Sequence, residues 1–136
     1  TIVGLTRGAT AAHICRSVLE AIAYQMTDLL EAMKNDSDIS LSELRVDGGA
    51  SVSNIMLQIQ ADMIRCSVNR PKNVETTALG AAYLAGLAVG LWESTAEIQN
   101  NRKVERVFEP EMDEARRNEI YAGWKRAVEC SKGWAK

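Results

Sequence analysis

Arg45-Val46-Asp47-Gly48-Gly49-Ala50-Ser51-Val52-Ser53-Asn54 reads as a short strand, a glycine pair and the start of a helix. Leu44 and Val46 alternate with charged Arg45, the period of a half-buried strand. Beyond the glycines, Ser51 or Ser53 is suited to cap a helix whose apolar residues Ile55, Ile59 and Met63 recur every fourth position. Two adjacent residues without a Cβ let a flat or anionic ligand approach the backbone. The helix start behind them offers free N–H groups and the positive end of the dipole. That combination is a candidate nucleotide seat. Many strand-to-helix turns use Gly-Gly only to turn, and at this level both readings stand. The stretch is neither a Rossmann G-x-G-x-x-G nor a Walker A loop, since no Gly-Lys-Ser/Thr follows.

A second stretch, Glu75 to Gly90, is a helix of very small residues. Ala78, Ala82, Gly86 and Gly90 repeat at i+4 and share one face. Interior glycines each cost a helix about 1 kcal/mol against alanine, so close packing is expected to offset them. No charge appears from Ala78 through Trp92. That run is shorter than the roughly 20 residues of a bilayer span. A tightly packed buried helix is therefore expected rather than a membrane segment.

Composition narrows the class. The chain has 136 residues, 46 % apolar and 25 % charged, which fits one soluble globular domain or part of one. Its formal net charge of −2 offers no basic footprint for nucleic acid. Cys15, Cys66 and Cys130 are widely spaced and odd in number, so reduced and mostly buried thiols are expected. One histidine, His13, excludes a His-rich metal site, and its position in a first helical turn suits packing or hydrogen bonding. The chain opens at Thr1 without methionine, and an excised piece of a longer protein is expected.

Along the chain, a long amphipathic helix is predicted from Thr10 to about Lys34. Its stripe is Ile14, Val18, Ile22, Met26 and Met33, widened by Leu19 and Ala23. A polar turn follows at Asn35–Asp38, then strands at Glu43–Asp47 and Cys66–Asn69, the second stopped by Arg70-Pro71. Ser94–Lys103 reads as irregular or short helix and Val104–Phe108 as a strand ended by Pro110. A last helix is predicted from near Glu111, with Ile120, Trp124, Ala127 and Trp134 as its apolar face. The order strand–helix–strand implies a parallel crossover. The fold class is α/β, dominated by helix with two or three short strands. Parallel sheets need both faces covered, so further strands are expected upstream of this chain.

At this point the residues carry a resemblance. Gly4-Leu5-Thr6-Arg7-Gly8-Ala9-Thr10, Leu19 to Gln25, Arg45 to Ala50 and Glu75 through Trp92, in this order and spacing, resemble the C-terminal part of the glycerol kinases. These belong to the FGGY carbohydrate kinases, within the ribonuclease-H-like actin and hexokinase ATPase fold. The resemblance covers nearly all of residues 1–136. It implies ATP-dependent phosphorylation of glycerol to glycerol 3-phosphate. A cytoplasmic homo-oligomer without nucleic-acid or membrane partners is expected. It places Gly48, Gly49, Ser53 and Asn54 on the adenosine side of the ATP cleft. The family shows two asparagines where this chain has Ser53 then Asn54; a serine hydroxyl still donates and accepts but is shorter. The helix around Gly80-Ala81-Ala82 resembles the connecting helix at an interdomain hinge. The catalytic base, the glycerol ligands and the Mg²⁺ ligands are expected upstream, and no catalytic or metal-binding residue is assigned here. Asp47 is expected to order the Gly-Gly turn through backbone N–H groups. Two alternatives stay open: another FGGY sugar kinase of the xylulokinase type, and a non-catalytic interaction module using the tail Tyr121-Ala122-Gly123-Trp124-Lys125-Arg126.

Overall fold

The computed structural model describes residues 1–37 and 41–133. Asp38 of the expected turn and Trp134 of the expected apolar face lie outside the described residues. The chain folds into helices α1 (Ala11–Asp36), α2 (Asn54–Ile64), α3 (Thr76–Ala88), α4 (Thr95–Asn100) and α5 (Glu114–Ser131) and strands β1 (Glu43–Arg45), β2 (Ser67–Pro71) and β3 (Val104–Phe108). The strands form one sheet in the order β1-β2-β3. β1 and β2 are parallel, with Leu44 opposite Val68, as a strand–helix–strand unit requires. β3 runs antiparallel to β2, with Val68 opposite Phe108.

β2 does not stop at Arg70-Pro71 as the sequence implied; both residues belong to it. A proline is tolerated there because it is the last strand residue and sits at a register shift between Arg70 and Pro71. Pairing resumes beyond it, where the Lys72 N–H donates to the Lys103 carbonyl.

α2 is the centre of the fold, and it touches two cores. Ile59 and Met63 pack with Ala23 of α1 and Tyr121 of α5. Leu57 and Ala61 pack with Val68 and Phe108 of the sheet. Of the predicted row, Ile55 instead lies exposed at the start of the helix. Full burial of such side chains stabilises by about 1.5–3 kcal/mol each. α2 ends at Arg65, which adopts a left-handed φ of 59°, and the Arg65 guanidinium donates to the Met112 carbonyl at 2.7 Å.

α1 begins at Ala11, one residue after the predicted Thr10, which is its N-cap, and runs two residues past Lys34, so Asn35 and Asp36 are helical rather than turn. His13 has the hydrogen-bonding role expected of it: its Nδ1 accepts from the Thr10 backbone N–H at 3.1 Å. The packed face is shifted from the predicted stripe. Ala23 and Thr27 are buried, whereas Ile14, Val18, Ile22, Met26 and Met33 are exposed. The reason is that α2 and α5 lie on the Leu19–Ala23–Thr27 side. Thr27 is tolerated there because its hydroxyl donates to the Ala23 carbonyl at 2.8 Å.

α5 starts at Glu114, three residues later than expected near Glu111. Asp62 explains the delay. Its Oδ1 accepts from the backbone N–H groups of Glu111 and Met112, at 2.7 and 3.1 Å, and holds them outside the helix. Asp113 then caps the helix by accepting from the Arg116 N–H. Asp28 of α1 receives the Tyr121 hydroxyl and the Trp124 indole N–H, and Arg117 reaches Glu31 and the Met63 carbonyl. These bonds stitch α5 onto α1. Burial first, then Asp28 and Glu31, push the Tyr121 phenol well above its ordinary range.

Two further expectations are corrected. The small-residue helix α3 is not buried: only Gly86 is, while Ala78, Ala82 and Leu84 are exposed. Its close packing is local, because Trp92 folds back over Gly86 where a Cβ would lie 2.0 Å from the indole ring. The thiols are free, but Cys15 and Cys130 are exposed and only Cys66 is half-buried. The exposed pair stands on surface-facing positions of α1 and α5.

Candidate functional site

The Gly-Gly turn joins the end of β1 to α2. Gly48 has φ 77° and ψ 173°, a left-handed conformation that a side chain disfavours. Gly49 lies outside that region of φ, so its backbone conformation does not require a glycine. A Cβ built on Gly49 meets no atom within 4 Å. The residue is exposed, and its backbone face is open to a ligand.

The expected helix does not begin directly behind the glycines. A single 3₁₀ turn, Gly49–Val52, intervenes. It is closed by the Ser51 N–H and the Ser51 hydroxyl, both donating to the Gly48 carbonyl at 3.1 and 2.7 Å. Ser53 rather than Ser51 then caps α2, its Oγ accepting from the Met56 N–H at 3.3 Å. Asn54 is the first residue of α2 and is exposed. Gly48, Gly49, Ser53 and Asn54 are thus brought together on one strand–turn–helix unit.

The turn is held from both sides. The Gly48 N–H donates to the Val74 carbonyl at 2.8 Å. Asp47 accepts a hydrogen bond from the Thr76 hydroxyl at the start of α3. Its partner is therefore a side chain of the next helix and not the backbone of the turn, which corrects the expectation. On the other side stands Arg70 of β2, only 7 % exposed. Its guanidinium donates to the Ser51 carbonyl at 2.9 Å, to Asn54 Oδ1 at 2.8 Å and to Glu105 Oε2 at 2.6 Å. Arg70 holds the Glu105 carboxyl below its ordinary range, first through that hydrogen bond. Sequence reasoning missed Arg70 and treated it as the residue that ends β2. The only available signal was an arginine inside a strand otherwise destined for the core.

A cavity of about 750 Å³ lies beyond the turn, lined among others by Pro71, Val74, Thr76, Leu79, Tyr83 and Arg102. None of Gly48, Gly49, Ser53 and Asn54 lines it. Its size is that of a ligand pocket. One wall is α3, however, much of which lies uncovered. Among the described residues no group of three His, Cys, Asp or Glu side chains is placed to hold a metal ion. No helix among them is long and apolar enough to cross a membrane.

Comparison with known proteins agrees with this architecture. The model of the C-terminal domain of the FGGY family of carbohydrate kinases matches residues 1–89. A glycerol kinase of Caldanaerobacter subterraneus subsp. tengcongensis is 58 % identical over 134 residues, covering 98 % of this chain and 27 % of that protein. A glycerol kinase of Vibrio cholerae is 56 % identical over 135 residues, covering 99 % of this chain and again 27 % of that protein. Among solved structures, Plasmodium falciparum glycerol kinase with ADP superposes with a TM-score of 0.88 at 34 % identity, over 99 % of this chain and 27 % of that one. A ligand-bound xylulose kinase from Lactobacillus acidophilus superposes at 0.73 with 25 % identity, over 98 % of this chain and 28 % of that one. The chain spans about a quarter of the length of these relatives. The likeness bears out the expected fold class, a helix-dominated α/β part of the actin and hexokinase type of ATPase fold. By the match of its first 89 residues, the chain belongs to the FGGY family of carbohydrate kinases.

Proposed function

We propose that residues 1–136 are the C-terminal, nucleotide-side segment of a glycerol kinase. The longer enzyme transfers the terminal phosphoryl group of ATP to glycerol, giving glycerol 3-phosphate and ADP. This segment forms the adenosine side of the cleft, with Gly48 and Gly49 under the nucleoside and Ser53 and Asn54 beside it. The observation that carries the reading is the superposition of nearly the whole chain on a glycerol kinase solved with ADP, and the exposed Gly49, with open space where its Cβ would stand, supports it. A glycine at this position leaves room for close approach of a ligand to the backbone.

Other features support the same reading. Asp47 and Arg70 fix the turn from opposite sides, which pre-organises the site and lowers the cost of binding. The exposed small-residue face of α3 suits a hinge helix that other parts of the kinase cover and that slides during closure. The cavity beside α3 is read as part of that covered face. The edge of β1 takes the further strands of the sheet. Phosphoryl transfer needs positioning and charge stabilisation from both sides of a cleft. The base, the glycerol ligands and the Mg²⁺ ligands are therefore assigned to the remainder of the enzyme. Mg²⁺ bound there would neutralise phosphate charge; among the described residues no His, Cys, Asp and Glu cluster fits it. The enzyme acts in the cytoplasm as a homo-oligomer.

Glycerol is preferred over xylulose because the glycerol kinases are 56–58 % identical to this chain and the xylulose kinase 25 %. The interaction-module reading loses its main support, because Tyr121 and Trp124 are engaged with Asp28 inside the protein. The test is a steady-state comparison of glycerol and D-xylulose as phosphoryl acceptors for the longer enzyme. A higher kcat/KM for glycerol is expected, and a higher value for D-xylulose would overturn the assignment.

A further inference from the structure

We propose that Arg70 is a positioning residue for the nucleotide. It sets which way the Asn54 amide faces, and so makes the start of α2 a surface of hydrogen-bond donors. This deepens the adenosine-site reading and rests on it.

A guanidinium donates in five directions and accepts in none. The Asn54 atom within 2.8 Å of Arg70 must therefore be the carbonyl Oδ1, and the amide nitrogen is turned the other way. Asn54 is an exposed residue, so that NH₂ group remains available to a ligand. Ser53 points to the same polarity. Its oxygen already accepts from the Met56 N–H, which leaves the hydroxyl proton to be given away. Both side chains beside the Gly-Gly turn then offer protons, and the group they fit is an acceptor on the nucleoside, a ring nitrogen or a ribose oxygen.

Arg70 is built for this role. It is almost completely buried, and each of its three nitrogens has its own partner. One arm grips the Ser51 carbonyl at the exit of the 3₁₀ turn, one grips Asn54, and Nε is neutralised by Glu105. The guanidinium also stacks 5.2 Å from the Phe108 ring centroid, which limits its rotation. Lysine carries the same charge but cannot reproduce a rigid three-way fork.

The test uses three variants of the longer kinase, each assayed for ATP and glycerol constants and for thermal midpoint. Arg70→Lys frees the amide and the turn exit. Asn54→Asp keeps an oxygen for Arg70 but replaces the outward NH₂ by an acceptor. Gly49→Val reports on the adenosine site independently of both. Arg70→Lys and Asn54→Asp should each raise the KM for ATP about tenfold, on the scale of one hydrogen bond to a charged or fixed group. kcat and the glycerol KM should change little, the signature of an interaction lost equally from ground and transition states. If Gly49→Val weakens ATP but the other two leave it unchanged, the positioning role is refuted and the adenosine site stands. If Gly49→Val also leaves ATP unchanged, the adenosine-site reading fails with it. A lowered thermal midpoint for Arg70→Lys with no change in the ATP constant would make Arg70 a purely structural clamp, and would overturn the proposal.

Discussion

Replacing Gly49 by valine separates binding from folding more cleanly than any other change in this segment. The fold has little to lose. A Cβ at Gly49 touches nothing within 4 Å, and φ lies outside the left-handed region. Surface substitutions of this kind shift stability by about 0.5 kcal/mol or less. The nucleotide has much to lose, because the valine methyl groups occupy the space through which it reaches the backbone. Forcing extra carbons into a packed contact costs about 1–3 kcal/mol. That corresponds to about a 5- to 150-fold rise in the apparent constant for ATP. The assay is initial-rate phosphorylation of glycerol by the longer kinase, with ADP production as the readout and each substrate varied in turn. The ATP constant should rise within that range while the glycerol constant changes little. The thermal midpoint should match that of the parent. Gly48→Val is the contrasting case: at φ 77° a side chain is strained by roughly 1–2 kcal/mol, so its thermal midpoint should fall. An unchanged ATP constant in a folded Gly49→Val enzyme would refute the reasoning.

Four other outcomes are expected. The purified 136-residue chain should form no glycerol 3-phosphate from ATP and glycerol; ATP- and glycerol-dependent product would show a complete active site within it. At micromolar concentration the same chain should self-associate through the exposed Ile14, Val18, Ile22, Met26 and Leu29 face of α1, since exposed apolar patches of several hundred Å² mark interfaces. Sedimentation showing a monomer that melts without concentration dependence would contradict this. Gly86→Ala should expel Trp92 from its seat and break its edge-on contact with Tyr83, at 5.2 Å between ring centroids. The lost contact, about 0.5–1.5 kcal/mol, is offset by a helix-propensity gain of about 1 kcal/mol. Stability should hardly change while Trp emission shifts to the red, and unaltered emission would count against the packing described. Finally, burial first and then Glu20 push the Tyr24 phenol from its ordinary 10.0 up to about 12. A raised pKa means that the folded state holds its proton longer. The stability it contributes is therefore complete below pH 10 and is lost as pH rises towards about 12. Melts across that window should show the decline, and Tyr24→Phe should reduce it.

Much of the fold was legible because the signals were local. The strand–glycine–helix order of Arg45–Asn54 gave β1 and α2, and Ser53 was one of the two caps foreseen, beside Ser51. The helical period of α1 gave its extent within two residues. The errors came where a distant partner decides. The buried face of α1 is chosen by α2 and α5, so Ala23 and Thr27 are inside while Ile22 and Met26 are outside. The start of α5 is delayed by Asp62, which lies 49 residues from Glu111 in sequence. β2 continues through Pro71 because β3 accommodates the register shift. The candidate site followed the same rule. Its glycines and its helix start are consecutive residues and could be read directly. Arg70 comes from another strand, and no spacing within Arg45–Asn54 points to it. The exposure of α3 was unpredictable for a related reason: small residues record that something packs closely, but not whether it lies in the same 136 residues.

The most direct measurement is a crystal structure of the longer kinase with a non-hydrolysable ATP analogue. The nucleoside should lie in van der Waals contact with the Gly49 backbone, with a ring nitrogen or ribose oxygen within hydrogen-bond distance of Asn54 Nδ2. Arg70 should still hold Asn54 Oδ1. A nucleoside bound instead in the cavity of Val74, Leu79 and Tyr83, with Gly49 open to solvent, would contradict the assignment of the adenosine site.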